Sequence, residues 1–203
     1  MRAPVAVGVD LFPAALGFAR ERTPADWLAG SAAELPFRSE SFDLIHCADV
    51  LQHMTLQDSE RAFDAFAAIL KPGGILGLRV RAPRIWERLP QIDYSQYFST
   101  GALRKSLQAR SFRVLFLSPV NTLPSLWAEL RTRGGRRQHN TAVKGIGTDE
   151  IGHPRSKVLS AYLSLERKWL LGTGIPMPMG HTIICLAQKE CPAQKDCLAQ
   201  KAG

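Results

Sequence analysis

Short apolar runs alternate with polar stretches through the first eighty residues. Residues 5–9 are Val, Ala and Gly, and the run is closed by Asp10, a pattern typical of a buried parallel strand. Residues 27–29 and 41–47 are two further strand-like runs, and residues 75–80 are a fourth. None of these runs has the 3.6-residue period of a helix, so the pattern predicts four strands in this part of the chain.

Helical patterns lie between these strands. Pro13 stands where a helix can begin, and residues 55–70 carry an apolar stripe at helical spacing, formed by Phe63, Phe66, Ala67 and Leu70. Residues 71–74 read Lys-Pro-Gly-Gly, which ends a helix because Pro cannot continue it and Gly accepts the left-handed turn. Alternating strands and helices predict a doubly wound α/β fold with a parallel sheet.

The second half of the chain has a weaker pattern. We expect helices over residues 99–110 and 155–171, and strands over residues 112–117 and 181–187. The end of the chain repeats Ala-Gln-Lys three times, so residues 190–203 are predicted to be a low-complexity, disordered tail. Residues 1–189 would then form a single domain, within the usual domain size.

The net charge of +8 raises the question of a nucleic-acid partner. The densest basic cluster consists of Arg131, Arg133, Arg136 and Arg137. No nucleic-acid-binding motif and no interleaved aromatic residues accompany this cluster. A solvated basic loop is therefore favoured over a nucleic-acid surface.

Cysteine usage and hydropathy bear on metal binding and location. The four cysteines have no His or further Cys at the spacing of a metal site, so no metal is expected. No run of about 18 apolar residues occurs, and the N-terminus lacks the pattern of a signal peptide. We therefore expect a cytoplasmic protein without a membrane span.

Five motifs occur in a fixed order over residues 5–80. They are Asp10 after the first strand, Gly-Ser-Ala-Ala-Glu-Leu-Pro-Phe at 30–37, Ser-Phe-Asp-Leu at 41–44, His-Cys-Ala-Asp-Val-Leu-Gln-His at 46–53, and Leu-Lys-Pro-Gly-Gly at 70–74. In this order and spacing they resemble the class I, S-adenosylmethionine-dependent methyltransferases of the small-molecule type. The resemblance continues more weakly to residue 187.

The resemblance implies a Rossmann-like methyltransferase fold, with a mostly parallel sheet and an antiparallel C-terminal strand. The family order is 3-2-1-4-5-7-6, and its first strand leads into a Gly-rich turn that nothing before Val5 resembles. We therefore expect the first strand to be missing. Either the start codon is assigned too late or the chain is an inactive remnant. As written, the polypeptide is expected to bind S-adenosylmethionine poorly.

The resemblance also implies cofactor-binding residues near the first two strands. Asp10 matches the acid that holds both ribose hydroxyls of S-adenosyl-L-methionine, and Leu11 matches the apolar residue against the adenine. Ser31 stands where the family usually has Asp, so its contact with the adenine amino group lacks a charge. Ala32 would offer its backbone N–H to an adenine ring nitrogen.

Further candidates follow the third predicted strand. Cys47 and Ala48 match positions beside the methionine moiety and the reactive methyl group. His46 and His53 are the candidates for a general base, which is needed only if the acceptor must lose a proton. His53 could instead cap the following helix, and Asp49 could be a helix-start residue.

The leading hypothesis is methyl transfer to a small organic acceptor. The alternative is a catalytically inactive methyltransferase-like remnant or partner-binding module, because the Gly-rich cofactor loop is absent. The hypothesis of an RNA methyltransferase rests only on the basic charge. It predicts that RNA binding falls steeply as the salt concentration rises. The sequence does not identify the acceptor or the oligomeric state.

Overall fold

The computed structural model describes residues 5–83, 96–126 and 154–191. These residues contain six strands, four helices with defined bounds, and a further helical segment at 122–126. The strands are β1 (Val7–Asp10), β2 (Asp26–Ala29), β3 (Phe42–Ala48), β4 (Leu70–Arg81), β5 (Phe112–Val120) and β6 (Thr182–Lys189). The helices are α1 (Pro13–Arg22), α2 (Leu56–Ile69), α3 (Thr100–Gln108) and α4 (Pro154–Thr173), with a short 3-10 turn at Leu51–His53. The basic cluster at 131–137 and residues 192–203 of the expected tail lie outside the described residues.

The strands form two sheets. β1 pairs with β2 in parallel, and a separate four-stranded sheet has the order β3-β4-β6-β5. β3 and β4 are parallel, whereas β6 runs antiparallel to both β4 and β5. This arrangement confirms the predicted α/β class with an antiparallel C-terminal strand. In the expected family order 3-2-1-4-5-7-6, none of the described strands takes the place of the family's strand 1, between β1 and β3.

The predicted stop after α2 takes an unexpected form. Leu70 is already extended and pairs with Phe42, so β4 begins five residues earlier than the expected strand at 75. The next partners are Leu44 and Ile75, so the Pro-Gly-Gly segment is an irregularity within the pairing. Gly73 has a φ of +79°, which Gly adopts without steric cost. The breaker residues therefore shape the start of a strand rather than a separate loop.

Helix α2 begins at a well-formed cap. The Thr55 Oγ1 accepts a hydrogen bond of 3.1 Å from the Asp58 N–H, and its hydroxyl donates to the Asp58 carboxylate at 2.8 Å. The first bond satisfies the Asp58 N–H, which has no partner within the helix, and the second holds the two side chains together. The helix then presents its apolar stripe to the four-stranded sheet.

One face of the four-stranded sheet is covered by α2 and α3. The buried core residues include Phe63, Phe66, Leu76, Leu78, Leu103, Leu107 and Cys185. Arg110, just after α3, joins the two helices. It donates to the Ser106 carbonyl of α3 at 3.2 Å, and it reaches the Glu60 and Asp64 carboxylates of α2 at 2.8 Å and 2.5 Å. This face is a continuous packed layer.

The opposite face of the same sheet is largely uncovered by the described residues. Leu44 is 61% exposed, and Leu186 is 41% exposed although its neighbours Cys185 and Ala187 are buried. His46 pairs in register with Gly77, which pairs with Leu186, so these residues share the open face. The described residues therefore bury only one side of the sheet.

Leu103→Ala should destabilise the chain strongly. Leu103 is 1% exposed in the α3 layer, so its truncation leaves a cavity and should cost about 2–5 kcal/mol of unfolding free energy. Leu56→Ala is the matched control, since Leu56 is also helical but 70% exposed, and should change stability by less than about 0.5 kcal/mol. Urea denaturation followed by circular dichroism measures both. Equal effects would contradict the assigned core.

Candidate functional site

A cavity of about 440 Å³ separates β1 from β3. Its lining includes Leu44, Ile45, His46 and Cys47, which are consecutive along β3. Successive side chains of a strand point to opposite faces, so a cavity that contacts all of them must run along the edge of the strand. Val7 and Val9 line the other side from β1. We call this feature the β1–β3 groove.

Asp10 ends β1 at the wall of the groove. Its Oδ1 accepts a hydrogen bond of 2.8 Å from the Phe12 N–H, and its carbonyl accepts one of 3.0 Å from the Gly30 N–H. These bonds orient the residue at the strand end. Because a carboxylate has two acceptor oxygens with several lone pairs, Asp10 retains capacity for ligand hydroxyls.

The segment after β2 forms a compact turn beside Asp10. The Ser31 Oγ accepts a hydrogen bond of 3.2 Å from the Ala33 N–H, and the Ser31 carbonyl accepts one of 3.1 Å from the Glu34 N–H. Ser31, Ala32 and Leu35 line the groove as a result. The Ser31 hydroxyl still has a donor hydrogen and a second lone pair for a ligand.

An ion pair fixes the end of β3. The Asp49 carboxylate pairs with the Arg79 guanidinium, and the Asp49 N–H donates to the Arg79 carbonyl at 2.9 Å. Asp49 has a φ of +57°, and Asp is among the residues that tolerate this region. The alternative of a helix-start residue is wrong, because the 3-10 turn begins only at Leu51 and Asp49 instead extends the β3–β4 contact.

Cys47 lies beneath this ion pair on the core side of β3. Burial raises the pKa of its thiol to about 12, against a smaller lowering by the backbone hydrogen bond to Leu51. Burial likewise raises the pKa of the Cys185 thiol to about 12. Both thiols are therefore neutral at physiological pH. Cys47 is suited to forming an apolar wall, not to acting as a nucleophile.

Both candidate bases are exposed and line the groove. His46 lies on the open side of β3, and His53 ends the 3-10 turn. The alternative that His53 caps α2 is wrong, since Thr55 is the capping residue. Neither imidazole is engaged in a hydrogen bond that would fix its ring in one tautomer within the described contacts, so the choice between them remains a prediction.

The structure brings the candidate residues together. Asp10, Leu11, Ser31, Ala32 and Cys47 all line the groove, together with His46 and His53. Ala48 is not part of the lining, although it follows Cys47 in β3 and pairs with Arg79. Sequence reasoning did not find the apolar walls contributed by Val7, Val9, Phe12, Phe37 and Met54, because a wall position has no signature until the strands are placed.

Comparison with known proteins identifies the domain type. Residues 2–78 match the family described as a methyltransferase domain. An uncharacterized methyltransferase of Synechocystis sp. is 40% identical over 73 residues, which are 36% of this chain and 34% of that protein. The matched regions span about a third or less of the length of these curated relatives.

Solved structures agree on the fold. An S-adenosylmethionine-dependent methyltransferase of Thermotoga maritima is 19% identical with a TM-score of 0.56, covering 91% of this chain and 73% of that chain. The cyclase SpnF is 23% identical with a TM-score of 0.54, covering 92% of this chain and 66% of that chain.

The described residues form a Rossmann-like α/β fold with a groove between β1 and β3. Residues 2–78 are similar to methyltransferase domains, and the likeness to solved structures supports the fold of the class I, S-adenosylmethionine-dependent methyltransferases. Because the cyclase SpnF shares this fold, the fold alone does not define the reaction. The reaction must be argued from the groove.

No helix in the described segments is long and apolar enough to cross a membrane. No group of three or more His, Cys, Asp or Glu side chains is arranged in those segments to hold a metal ion. The groove lining itself contributes carboxylates, imidazoles, a hydroxyl and apolar side chains.

Cys47 and Cys185 should resist alkylation in the folded chain. A thiol with a pKa of about 12 is almost entirely protonated at pH 8, and the thiolate is the reactive form. Iodoacetamide at pH 8, followed by peptide mass spectrometry, should modify the half-buried Cys191 at least tenfold faster than either. In denaturant the three should react alike. Labelling of folded Cys47 at the rate of Cys191 would contradict its burial.

Proposed function

We propose that the β1–β3 groove binds S-adenosyl-L-methionine and that the protein transfers its methyl group to a small organic acceptor. The observation that carries this proposal is that residues from three separate strand ends line the same groove. Asp10 after β1, Ser31 after β2 and Cys47 near the end of β3 all line one groove. In open α/β sheets, ligands bind beyond the carboxyl ends of the strands.

The groove residues suit the parts of such a ligand. Asp10 would accept hydrogen bonds from the ribose hydroxyls, and its existing bond to the Phe12 N–H holds the carboxylate in place. Leu11, which is 64% exposed, offers apolar surface for the adenine ring. Ser31 and the Ala32 N–H would contact the adenine edge. Because Ser31 lacks a negative charge, its hydrogen bond to an amino group is weaker than an Asp would provide.

The far end of the groove suits the reacting part. Asp49 lies in this part of the lining, and its ion pair with Arg79 balances its charge. The buried, neutral Cys47 provides an uncharged wall beside which the methyl group would lie. Ala48 follows Cys47 in β3 but lies outside the lining.

The chemical demand on the protein is modest. S-adenosylmethionine supplies an activated methyl group when bound, so the chain must chiefly align the acceptor and exclude water. A base is required only for a hydroxyl or amine acceptor that must lose its proton. His46 and His53 are the groove imidazoles available for that role.

A non-catalytic methyltransferase-like module is the second candidate. The observation that favours it is the open groove, since no described strand or Gly-rich turn closes the space between β1 and β3. Such a module would retain the fold and the groove but would not catalyse methyl transfer. Cofactor binding and methyl transfer therefore need separate measurements.

Asp10→Asn should weaken cofactor binding at least tenfold, or by about 1.4 kcal/mol. The change removes the charge that accepts two ribose hydrogen bonds and leaves the size of the side chain unchanged. Saturation-transfer NMR with S-adenosylhomocysteine measures the weak binding expected of the 203-residue chain.

Asp26→Asn is the matched control for this change. Asp26 is exposed and pairs with Val7, at the opposite end of the β1–β2 pair from Asp10. It should bind S-adenosylhomocysteine as the parent chain does. Unchanged binding in Asp10→Asn, or an equal loss in both variants, would refute the placement of the ribose.

A further inference from the structure

Strand β4 ends in an arginine that has no carboxylate partner among the described residues. β4 contains three cations, and two of them, Lys71 and Arg79, each form an ion pair with an aspartate. Arg81 is exposed, and its guanidinium instead lies over the Tyr97 ring, 5.6 Å from the ring centroid. The positive charge of Arg81 is therefore uncompensated within these segments.

The pleat of β4 places Arg81 near the end of the β1–β3 groove that Asp49 lines. Leu78 and Val80 are buried in the core, so Arg79 and Arg81 share the opposite, largely uncovered face of the sheet. The two arginines are about 7 Å apart along the strand. Arg79 holds Asp49, which belongs to the groove lining. A ligand group that extends beyond Asp49 on this face would therefore meet Arg81 next.

Backbone hydrogen bonds hold Tyr97 between the groove and the end of β4. The Gln96 N–H donates to the Gln52 carbonyl at 2.9 Å, in the 3-10 turn that contributes to the groove lining. On the other side of Tyr97, the Phe98 N–H donates to the Arg81 carbonyl at 2.9 Å. The backbone of Tyr97 is thus fixed on both sides, and its ring orients the guanidinium that stacks on it.

Stacking leaves the edge of the Arg81 guanidinium available to a ligand. The guanidinium is planar and its N–H groups point outwards in the plane, so a ring against its face does not occupy them. These N–H groups match the two oxygens of a carboxylate in a bidentate pair, which is stronger than hydrogen bonds to a neutral group. The geometry of Arg81 therefore favours an anion over a neutral polar ligand.

Thr182 adds a neutral donor beside Arg81. The two residues are directly opposite in the antiparallel β4–β6 pair, so their side chains share one face of the sheet. The Thr182 Oγ1 accepts a hydrogen bond of 3.4 Å from Asn121 Nδ2, which leaves its hydroxyl hydrogen for a ligand. One uncompensated cation and one neutral donor suit a carboxylate, which carries a single charge, better than a phosphate monoester, which carries nearly two.

We propose that Arg81, oriented by Tyr97, forms a subsite that selects methyl acceptors bearing a carboxylate group. The carboxylate would bind the Arg81 guanidinium in a bidentate pair and accept from the Thr182 hydroxyl, while the reacting atom lies in the groove beside Cys47. Arg81 then determines specificity and Tyr97 is a positioning residue. This inference rests on the proposed function, because the carboxylate is recognised as part of the acceptor.

Carboxylate selectivity is the first measurement. The probes are phenylacetate and its neutral isostere phenylacetamide, each titrated into the 203-residue chain and followed by the Arg81 Nε–Hε signal in NMR. Phenylacetate should bind at least tenfold more tightly, because charge-assisted bidentate bonds are stronger than neutral ones. Equal affinities of the two probes would overturn the proposal, and so would binding of phenyl phosphate more than tenfold tighter than that of phenylacetate.

Arg81→Gln should abolish the preference for phenylacetate, because the variant loses the charge but keeps an exposed polar side chain. Arg81→Lys retains the charge without the planar fork, and should keep less than half of the selectivity. Arg113→Gln is the matched control, since Arg113 is exposed at the start of β5, at the opposite edge of the sheet from Arg81. It should behave as the parent chain. A preference that survives in Arg81→Gln, or is lost equally in Arg113→Gln, would refute the subsite.

Tyr97 variants test the positioning role. Tyr97→Leu removes the ring without changing the charge, so phenylacetate should bind at least threefold more weakly. Tyr97→Phe keeps a ring face for the guanidinium and should restore the parent affinity. Equal affinities in the two variants would show that the ring does not orient Arg81.

S-adenosylhomocysteine distinguishes failure of this inference from failure of the proposed function. We expect it to bind the parent chain and Arg81→Gln with affinities within about twofold, while only the parent prefers phenylacetate. Binding of S-adenosylhomocysteine without any preference for phenylacetate would overturn the subsite and leave the cofactor groove intact. A preference for phenylacetate without binding of S-adenosylhomocysteine would leave an anion site, but would overturn its assignment to a methyl acceptor together with the proposed function.

Discussion

Strand β4 is the element on which the described fold depends. It pairs in parallel with β3 and antiparallel with β6, and its alternating Leu76, Leu78 and Val80 are completely or almost completely buried. α2 and α3 pack against this sheet, so the core exists only because β4 presents an unbroken apolar row. The irregular pairing near Gly73 starts this strand directly from the end of α2. Without β4, neither the four-stranded sheet nor the end of β3 would have a defined position.

The candidate site follows from the same pairing. Asp49 is held by the backbone and the side chain of Arg79 in β4, and Cys47 pairs with Leu78. The other half of the site rests on β1, which Gly8 allows to approach β2 closely. A Cβ at Gly8 would lie 2.2 Å from the Trp27 ring, so no other residue fits there without displacement. The two halves face each other across the groove, and the Glu34–Arg61 ion pair also joins them.

Residue patterns were sufficient to predict most elements and the similarity of residues 2–78 to methyltransferase domains. Local signals such as the apolar run closed by Asp10 and the stripe from Phe63 to Leu70 concern neighbouring positions, and the structure has strands and a helix there. The order of motifs predicted the α/β class and the antiparallel closing strand. The early start of β4 at Leu70 escaped prediction, because Pro and Gly indicate a break locally and only the pairing with Phe42 shows a bulged strand.

The family resemblance named site residues only where a motif carries them. Asp10, Ser31 and Cys47 were named in this way and all line the groove, as expected for residues after successive strands of a parallel sheet, but their roles remain predictions. The partnership of Asp49 with Arg79 and the apolar groove walls could not be identified from motifs. Asp49 and Arg79 are 30 residues apart, and the groove walls extend from Val7 to Ile69, so only the folded backbone decides which of many side chains meet. The amino-acid order thus set the chemistry available to the groove, and the packing of two separate sheets decided its shape and its open edge.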